Sequence, residues 1–297
     1  MVRNFFIWRI LMPDKILHAL VHCLIETAKM APIIFLAYLF MEWLEHTNST
    51  KLTNKIHKAR SAGPLIGSAL GLIQQCGFSG AIAGMYAAGT VTMGALLAVI
   101  LATSDEMLVI MLPDLGGRIT PLLLIFILVY KFVVGIAVGF VADFILKKRH
   151  AQREEDIHGF CERENCSCKD GVWLSAVKHT IKVLLIVYIV SVVLHILIEL
   201  VPEDAIKTVL NFPVLSEIGA ALAGLIPSCA VSVTLTQLYV EGALGIGPLL
   251  CGLLTNGGVG LLVLYRVNKR PKDNLIITLI LFISGLLFGS LAGVIMQ

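Results

Sequence analysis

Gly71-Leu72-Ile73-Gln74-Gln75-Cys76-Gly77-Phe78-Ser79 returns 153 residues later as Gly224-Leu225-Ile226-Pro227-Ser228-Cys229-Ala230-Val231-Ser232. The match runs without a gap from 71–108 onto 224–261, carrying Tyr86, Gly89, Gly94, Leu96, Leu97, Leu101 and Leu108 onto Tyr239, Gly242, Gly247, Leu249, Leu250, Leu254 and Leu261. That is 12 identities in 38 positions, where shared apolar composition alone gives roughly three. Thr27 and Lys29 match Thr180 and Lys182 at the same spacing, which extends the repeat to the first helix of each half. In both copies a small polar knot interrupts an apolar run.

Composition sets the solvent. Of 297 residues, 57% are hydrophobic and 14% charged, with a mean hydropathy of +0.88. A soluble domain carries about 25% charged residues, so most of this chain belongs in lipid. The apolar stretches are 30–44, 64–89, 91–112, 121–146, 181–198, 214–240, 243–265 and 274–296, and most reach the roughly 20 residues that span hydrocarbon. The net charge of +3 is too small and dispersed for a nucleic-acid partner. An integral membrane protein follows, all-α by the hydrogen-bonding demands of lipid.

Lys and Arg sort the loops. Residues 47–61 carry Lys51, Lys55, Lys58 and Arg60; 147–171 carry Lys147, Lys148, Arg149, Arg153, Arg163 and Lys169; 266–272 carry Arg266, Lys269, Arg270 and Lys272. By contrast 113–119 has only Arg118 and 200–213 only Lys207. The positive-inside rule places the first set in the cytoplasm and the second outside. An odd number of crossings is then required in 62–112 and again in 214–265. Each stretch holds two apolar segments, so 64–89 and 214–240 are expected to be broken, re-entrant hairpins, leaving 91–112 and 243–265 as one crossing each. Each half reads as helix, two half-helices, helix, helix, and the second half is inverted relative to the first. The expected organisation is a first repeat over 1–146, a cytoplasmic linker over 147–171 and an inverted repeat over 172–297. Arg3, Arg9 and Lys15 suit a surface-lying amphipathic segment over 1–15.

Paired, broken hydrophobic segments in two halves point to a transporter's substrate site. The candidates at the tips are Gln74, Gln75, Cys76, Ser79, Ser228, Cys229 and Ser232, with Gln237 near the end of the second hairpin. Thiolates suit soft metals and oxygens harder ones; the alternative is that small residues simply let helices approach. The next segment reads Thr103-Ser104-Asp105-Glu106, and its counterpart includes Thr255 and Asn256. A carboxylate at the bilayer centre costs about 2.5–3.5 kcal/mol, so two adjacent acids suit a cation or proton site, or an ion pair with Lys131. His18, His22 and Glu26 share one helical face, as do Glu42 and His46 beside Glu45. Such sets collect divalent cations or line a wet helix face. Cys161, Cys166 and Cys168 sit in the polar linker among His and acidic residues, where metal capture fits a reducing compartment better than a disulfide.

The segments 71–80, Ala102-Thr-Ser-Asp-Glu-Met107, Leu225-Ile-Pro-Ser-Cys229 and Leu254-Thr-Asn-Gly-Gly-Val259 resemble the bacterial family of ten-helix heavy-metal exporters, whose members carry manganese-transporter or arsenic-efflux names. The likeness extends to Met41-Glu42-Trp43-Leu44-Glu45-His46 and the Cys-bearing linker. The chain departs from it in having Gln74 where the family usually has Pro, and in a linker with fewer His and Cys. The resemblance implies a multi-pass protein of the bacterial cytoplasmic membrane, with five helices per half when each hairpin counts as two.

The leading expectation is a secondary transporter exporting a divalent cation, manganese first, by alternating access. No GxxxxGK[ST] motif for primary pumping is present. No cofactor is expected beyond the transported metal ion; the bilayer is a partner, and a proton or sodium is the coupling ion. The competing expectation is export of an arsenical or another anion through Cys76, Cys229, Lys29 and Lys182. A third class is the membrane-embedded lipid-pyrophosphate phosphatase, which also pairs two hairpins. It needs cationic groups on its phosphates, and neither 64–89 nor 214–240 contains Arg, Lys or His.

Overall fold

The computed structural model describes residues 62–72, 76–103, 107–114, 119–146, 172–199 and 213–296, and part of the segment 20–39. The elements among them are helices. In chain order these are α1 (Gly63–Gly71), α2 (Cys76–Ala87), α3 (Met93–Ala102), α4 (Met107–Met111), α5 (Pro121–Ile145), α6 (Val172–Glu199), α7 (Pro213–Gly224), α8 (Cys229–Val240), α9 (Ile246–Thr255), α10 (Gly258–Val267) and α11 (Pro271–Ile295). The described residues of 20–39 are helical too.

The duplication seen in sequence returns as local structure. α2 and α8, and α3 and α9, begin and end at the same spacing of 153 residues. α2 and α8 stop the same way: Gly89 (φ 81°) and Gly242 (φ 85°) take the left-handed conformation. Thr90 N–H then reaches back to Met85 O, and Ala243 N–H to Leu238 O. Glycine avoids the Cβ penalty that this helix-ending turn imposes on other residues. In the first helix of each half, Thr27 Oγ1 donates to Cys23 O and Thr180 Oγ1 to Ala176 O, each at 2.7 Å. Starts are equally legible: Thr92 and Thr120 accept from Ala95 N–H and Leu123 N–H, and prolines open α5 and α11.

α1 runs parallel to α3. A Cβ on Gly63 would meet Thr92 and Ala95, one on Gly67 would meet Ala95 and Val99, and one on Gly71 would meet Val99, Ala102 and Thr103. α2 therefore brings the chain back to the level at which α1 began. α1 and α2 hold 9 and 12 residues, about 14 and 18 Å of helix, well short of the roughly 30 Å of hydrocarbon. α5 returns antiparallel to α3, with Gly139 against Gly94 and Gly135 against Ala98. α7, α9 and α11 repeat this arrangement: Gly224 lies against Gly252 and Thr255, and Gly247 against Gly293.

Among the described residues, five helical stretches are long and apolar enough to cross a membrane. Met93–Met111 and Ile246–Val267 are 80% and 83% buried, whereas Pro121–Ile145, Ala176–Val193 and Pro271–Ile295 are 33%, 24% and 33% buried. The first two are the inner pair and the others form the outer wall. α11 turns Leu275, Leu279, Ile283, Leu287 and Leu291 outward at helical spacing, an apolar stripe suited to lipid.

The segments 91–112 and 243–265, each read above as one crossing, carry a break in the middle that the sequence reading did not include. α3 ends at Thr103 (ψ 134°) and the chain resumes helix at Met107; α9 ends at Asn256 (ψ 103°) and resumes at Gly258 (φ 46°). Thr and Asn offer side-chain partners that compete with the helical ladder, and Gly257-Gly258 lowers the cost of leaving it.

Close helix contact makes a stability prediction. A Cβ on Gly94 would lie 2.1 Å from Gly139 O and 2.5 Å from Asp143 Cγ, whereas one on Gly245 meets nothing nearer than Pro248 Cδ at 3.7 Å. Gly94→Ala should cost about 1–3 kcal/mol by overpacking, while Gly245→Ala should stay within about 0.5 kcal/mol of wild type. Thermal unfolding of the detergent-solubilised protein reads both.

Candidate functional site

In each half the end of the first short helix, α1 or α7, lies beside the helix break. A Cβ on Gly71, the last residue of α1, would lie 3.2 Å from Thr103 N; one on Gly224, the last of α7, would lie 3.2 Å from Asn256 N. The halves then interlock. α2 packs on α10, where Gly260 admits Ser79 so closely that a Cβ would lie 2.8 Å from Ser79 Cβ. α8 packs on α4 in the reciprocal contact.

At the centre stands Lys131 of α5, fully buried. Its Nζ donates to Thr103 O at 2.6 Å and to Leu253 O at 2.9 Å. These carbonyls belong to the C-terminal ends of α3 and α9, so one ammonium ties the two breaks together. A helix C-terminus carries roughly half a negative charge. Two of them favour the positive charge of the lysine at this depth.

Most of the described candidates are polar and enclosed. Thr103, Ser228, Cys229, Ser232, Thr255 and Asn256 are all buried, as is Ser79. Thr103 Oγ1 donates to Val99 O, Thr255 Oγ1 to Cys251 O and Ser232 Oγ to Cys229 O. Their protons are spent on their own helices, and the hydroxyl oxygens keep lone pairs that can face a cation. Ser228 Oγ caps α8 by accepting from Ala230 N–H, and Asn256 Oδ1 accepts from Gly258 N–H at 2.9 Å to start α10. Gln237 is placed on the exposed face of α8 and Lys182 on the exposed face of α6.

The remaining candidates lie outside the described residues: Gln74, Gln75, Ser104, Asp105, Glu106, His18, His22, Glu26, Lys29, Glu42, Glu45, His46, Cys161, Cys166 and Cys168. Cys76 opens α2, with its side chain also outside the description. Among the described residues no group of three His, Cys, Asp or Glu could hold a metal ion.

Two carboxylates not singled out in the sequence lie at the outer ends of the inner helices. Asp143 of α5 accepts from Gly94 N–H at 2.7 Å and Thr92 Oγ1 at 2.8 Å, capping α3. Glu217 of α7 accepts from Ser290 Oγ, and its Oε1 lies 3.0 Å from where a Gly247 Cβ would be, at the start of α9. Negative charge is favoured at both helix N-termini. The available signal was a lone acid inside each apolar stretch, 121–146 and 214–240.

The Asn256 contact is testable. Asn256→Ala should lose about 1 kcal/mol of stability with the cap, and Asn256→Asp, which keeps an acceptor there, should lose little. Thermal unfolding midpoints of the two variants check it.

Neither a curated protein nor a solved structure matches the chain. The model of the family described as "Putative, 10TM heavy-metal exporter" matches residues 13–213, from the N-terminal segment through the first hairpin, the first break, Lys131 and α6 to the start of α7. That is more than half of the chain, and the protein belongs to this family of membrane exporters.

Proposed function

We propose that the protein is a secondary active transporter that exports a divalent heavy-metal cation, manganese first, by alternating access between two inverted halves. The observation that carries this reading is the convergence of two hairpin turns and two helix breaks on one buried polar crossing spanned by Lys131. Broken helices lining a wet cavity are how a membrane protein presents backbone and side-chain oxygens to an ion at mid-depth.

Inversion draws support from the first helices of the halves. Tyr188 Oη donates to Leu20 O at 3.4 Å, and the Phe35 and Trp173 ring centroids are 5.7 Å apart. Residue numbers rise on one helix as they fall on the other, so these repeat-related helices cross antiparallel. α1 and α2, returning the chain to its starting level, act as a re-entrant hairpin, and α7 and α8 as its inverted copy. The home of the protein is the bacterial cytoplasmic membrane. Residues 147–171 face the cytoplasm and gather metal there through Cys161, Cys166 and Cys168.

In this mechanism Asp105 and Glu106 supply the charge that the neutral donors Thr103, Thr255, Asn256, Ser79 and Ser232 lack. One acid binds the cation and the other carries a coupling proton; sodium is the alternative driving ion. Asp105→Asn and Glu106→Gln should each abolish metal flux in proteoliposomes while leaving the protein folded. Wild-type rates across pH in both variants would make the acids structural.

Cys229, buried at the start of α8, favours a second reading in which the cargo is an arsenical. Cells expressing the protein should resist manganese under the first reading and arsenite or an organoarsenical under the second. The hairpin and linker cysteines separate as well. Cys229→Ala or Cys76→Ala should lower maximal flux or alter metal preference, with Cys→Ser costing soft metals more than manganese. Replacing Cys161, Cys166 and Cys168 together should weaken response only at low metal. Inactive linker variants beside normal hairpin variants would move the site out of the membrane core.

A further inference from the structure

Main-chain carbonyls at the ends of broken helices are the ligands by which membrane transporters hold monovalent coupling cations. Here two such carbonyls, Thr103 O from one half and Leu253 O from the other, converge on a single point occupied by Lys131 Nζ. We propose that Lys131 is a tethered cation filling a monovalent-cation site built by the ends of α3 and α9, so that assembly of the crossing requires no diffusible sodium or potassium.

Three features of the surroundings fit that role. α5 and α11 begin at Pro121 and Pro271 and carry matching glycines, Gly135 with Gly285 and Gly139 with Gly289. This register sets Lys131 opposite Leu281, which is also fully buried. A point shared by two related helix ends has room for one cation, and one half supplies it while the other supplies hydrocarbon. Ser68 Oγ, buried and without a hydrogen-bond partner, faces Gly135 one turn along α5 from Lys131. A further oxygen thus lies on the same face. Finally, these two contacts of the ammonium are to main chain, so truncating the lysine leaves both carbonyl ligands in place.

The test is rescue of the truncated variant by free cations. Wild type and Lys131→Ala are purified in parallel in chloride salts of choline, sodium, potassium and ethylammonium at equal ionic strength, and thermal unfolding is recorded. Wild type should unfold at the same midpoint in all four. Lys131→Ala should be less stable than wild type in choline and regain half or more of the lost midpoint, saturably, in ethylammonium or an alkali salt. If it aggregates in choline, monodisperse protein in one of the other salts supports the proposal. The same behaviour in all four salts, folded or aggregated, overturns it, as does an equal response from wild type. Lys131→Met fills the space without charge and should not respond; a response equal to that of Lys131→Ala would also overturn it. This readout is independent of the cargo. Under the proposed export activity, metal flux by Lys131→Ala should acquire the same cation dependence. Absence of flux in wild type would sink the export reading and leave the stability result standing.

Discussion

A helix that stops inside a membrane leaves its last four carbonyls without helical partners, and lipid offers none. This protein stops two helices there. α3 and α9 end at Thr103 and Asn256 within the best-buried spans of the molecule, and Lys131 takes one carbonyl from each. The arrangement balances two costs that are prohibitive separately. A lone buried ammonium loses its hydration, and orphaned carbonyls lose theirs, at several kcal/mol for the ion and about 1–3 for each neutral group. Together they satisfy one another, so the breaks and the lysine depend on each other for survival at this depth.

The rest of the architecture serves to bring those ends into contact. Glycines do much of it by removing Cβ atoms where backbones touch: Gly67 and Gly71 on α1 against α3, Gly135 and Gly139 on α5 against the same helix, and Gly224, Gly285 and Gly289 around α9. In lipid there is little hydrophobic gain in joining apolar helices, so close van der Waals contact between small residues carries association. Asp143 accepts from the first turn of α3, and Glu217 accepts from Ser290 of α11 beside the start of α9. Each inner half-helix thus has a carboxylate near its start and a shared cation at its finish, in keeping with its dipole.

How much of this was legible in sequence depends on the range of the interaction. The starts of α2 and α8 were visible because Cys76 and Cys229 sit where an apolar period is locally interrupted, and both helices begin at those residues. The helix breaks were not. Thr103 and Asn256 lie in runs whose hydropathy passes for a plain crossing, and backbone departure is decided by partners distant in sequence, above all Lys131. Asp143 and Glu217 escaped for the same reason: their meaning lies in Gly94, Thr92, Ser290 and Gly247, on other helices. Lys131 was noticed in sequence as an ion-pair partner for Asp105 and Glu106, which lie outside the described residues; its two carbonyl partners, one of them on a distant helix, left no sequence signal. Local periodicity reports an element; it does not report what its ends meet.

The duplication frames the site without making its chemistry symmetric. The outer parts of the halves agree closely, down to the paired Thr27 and Thr180 bonds and the left-handed Gly89 and Gly242. Divergence concentrates toward the crossing, where Thr103-Ser-Asp-Glu matches Asn256-Gly-Gly-Val in sequence and Lys131 matches Leu281. The shared contact of the two helix ends accounts for the second difference. A group at a point shared by two related segments can be supplied by only one of them, because its copy would occupy the same space and, if charged, repel it. Duplicated carbonyl ends therefore require one lysine, and one lysine requires a hydrocarbon residue opposite. Under the proposed export activity the same reasoning applies to the cargo: a single ion at a shared point is served better by acids from one half than by two matched pairs, whose repulsion would have to be balanced whenever the ion was absent.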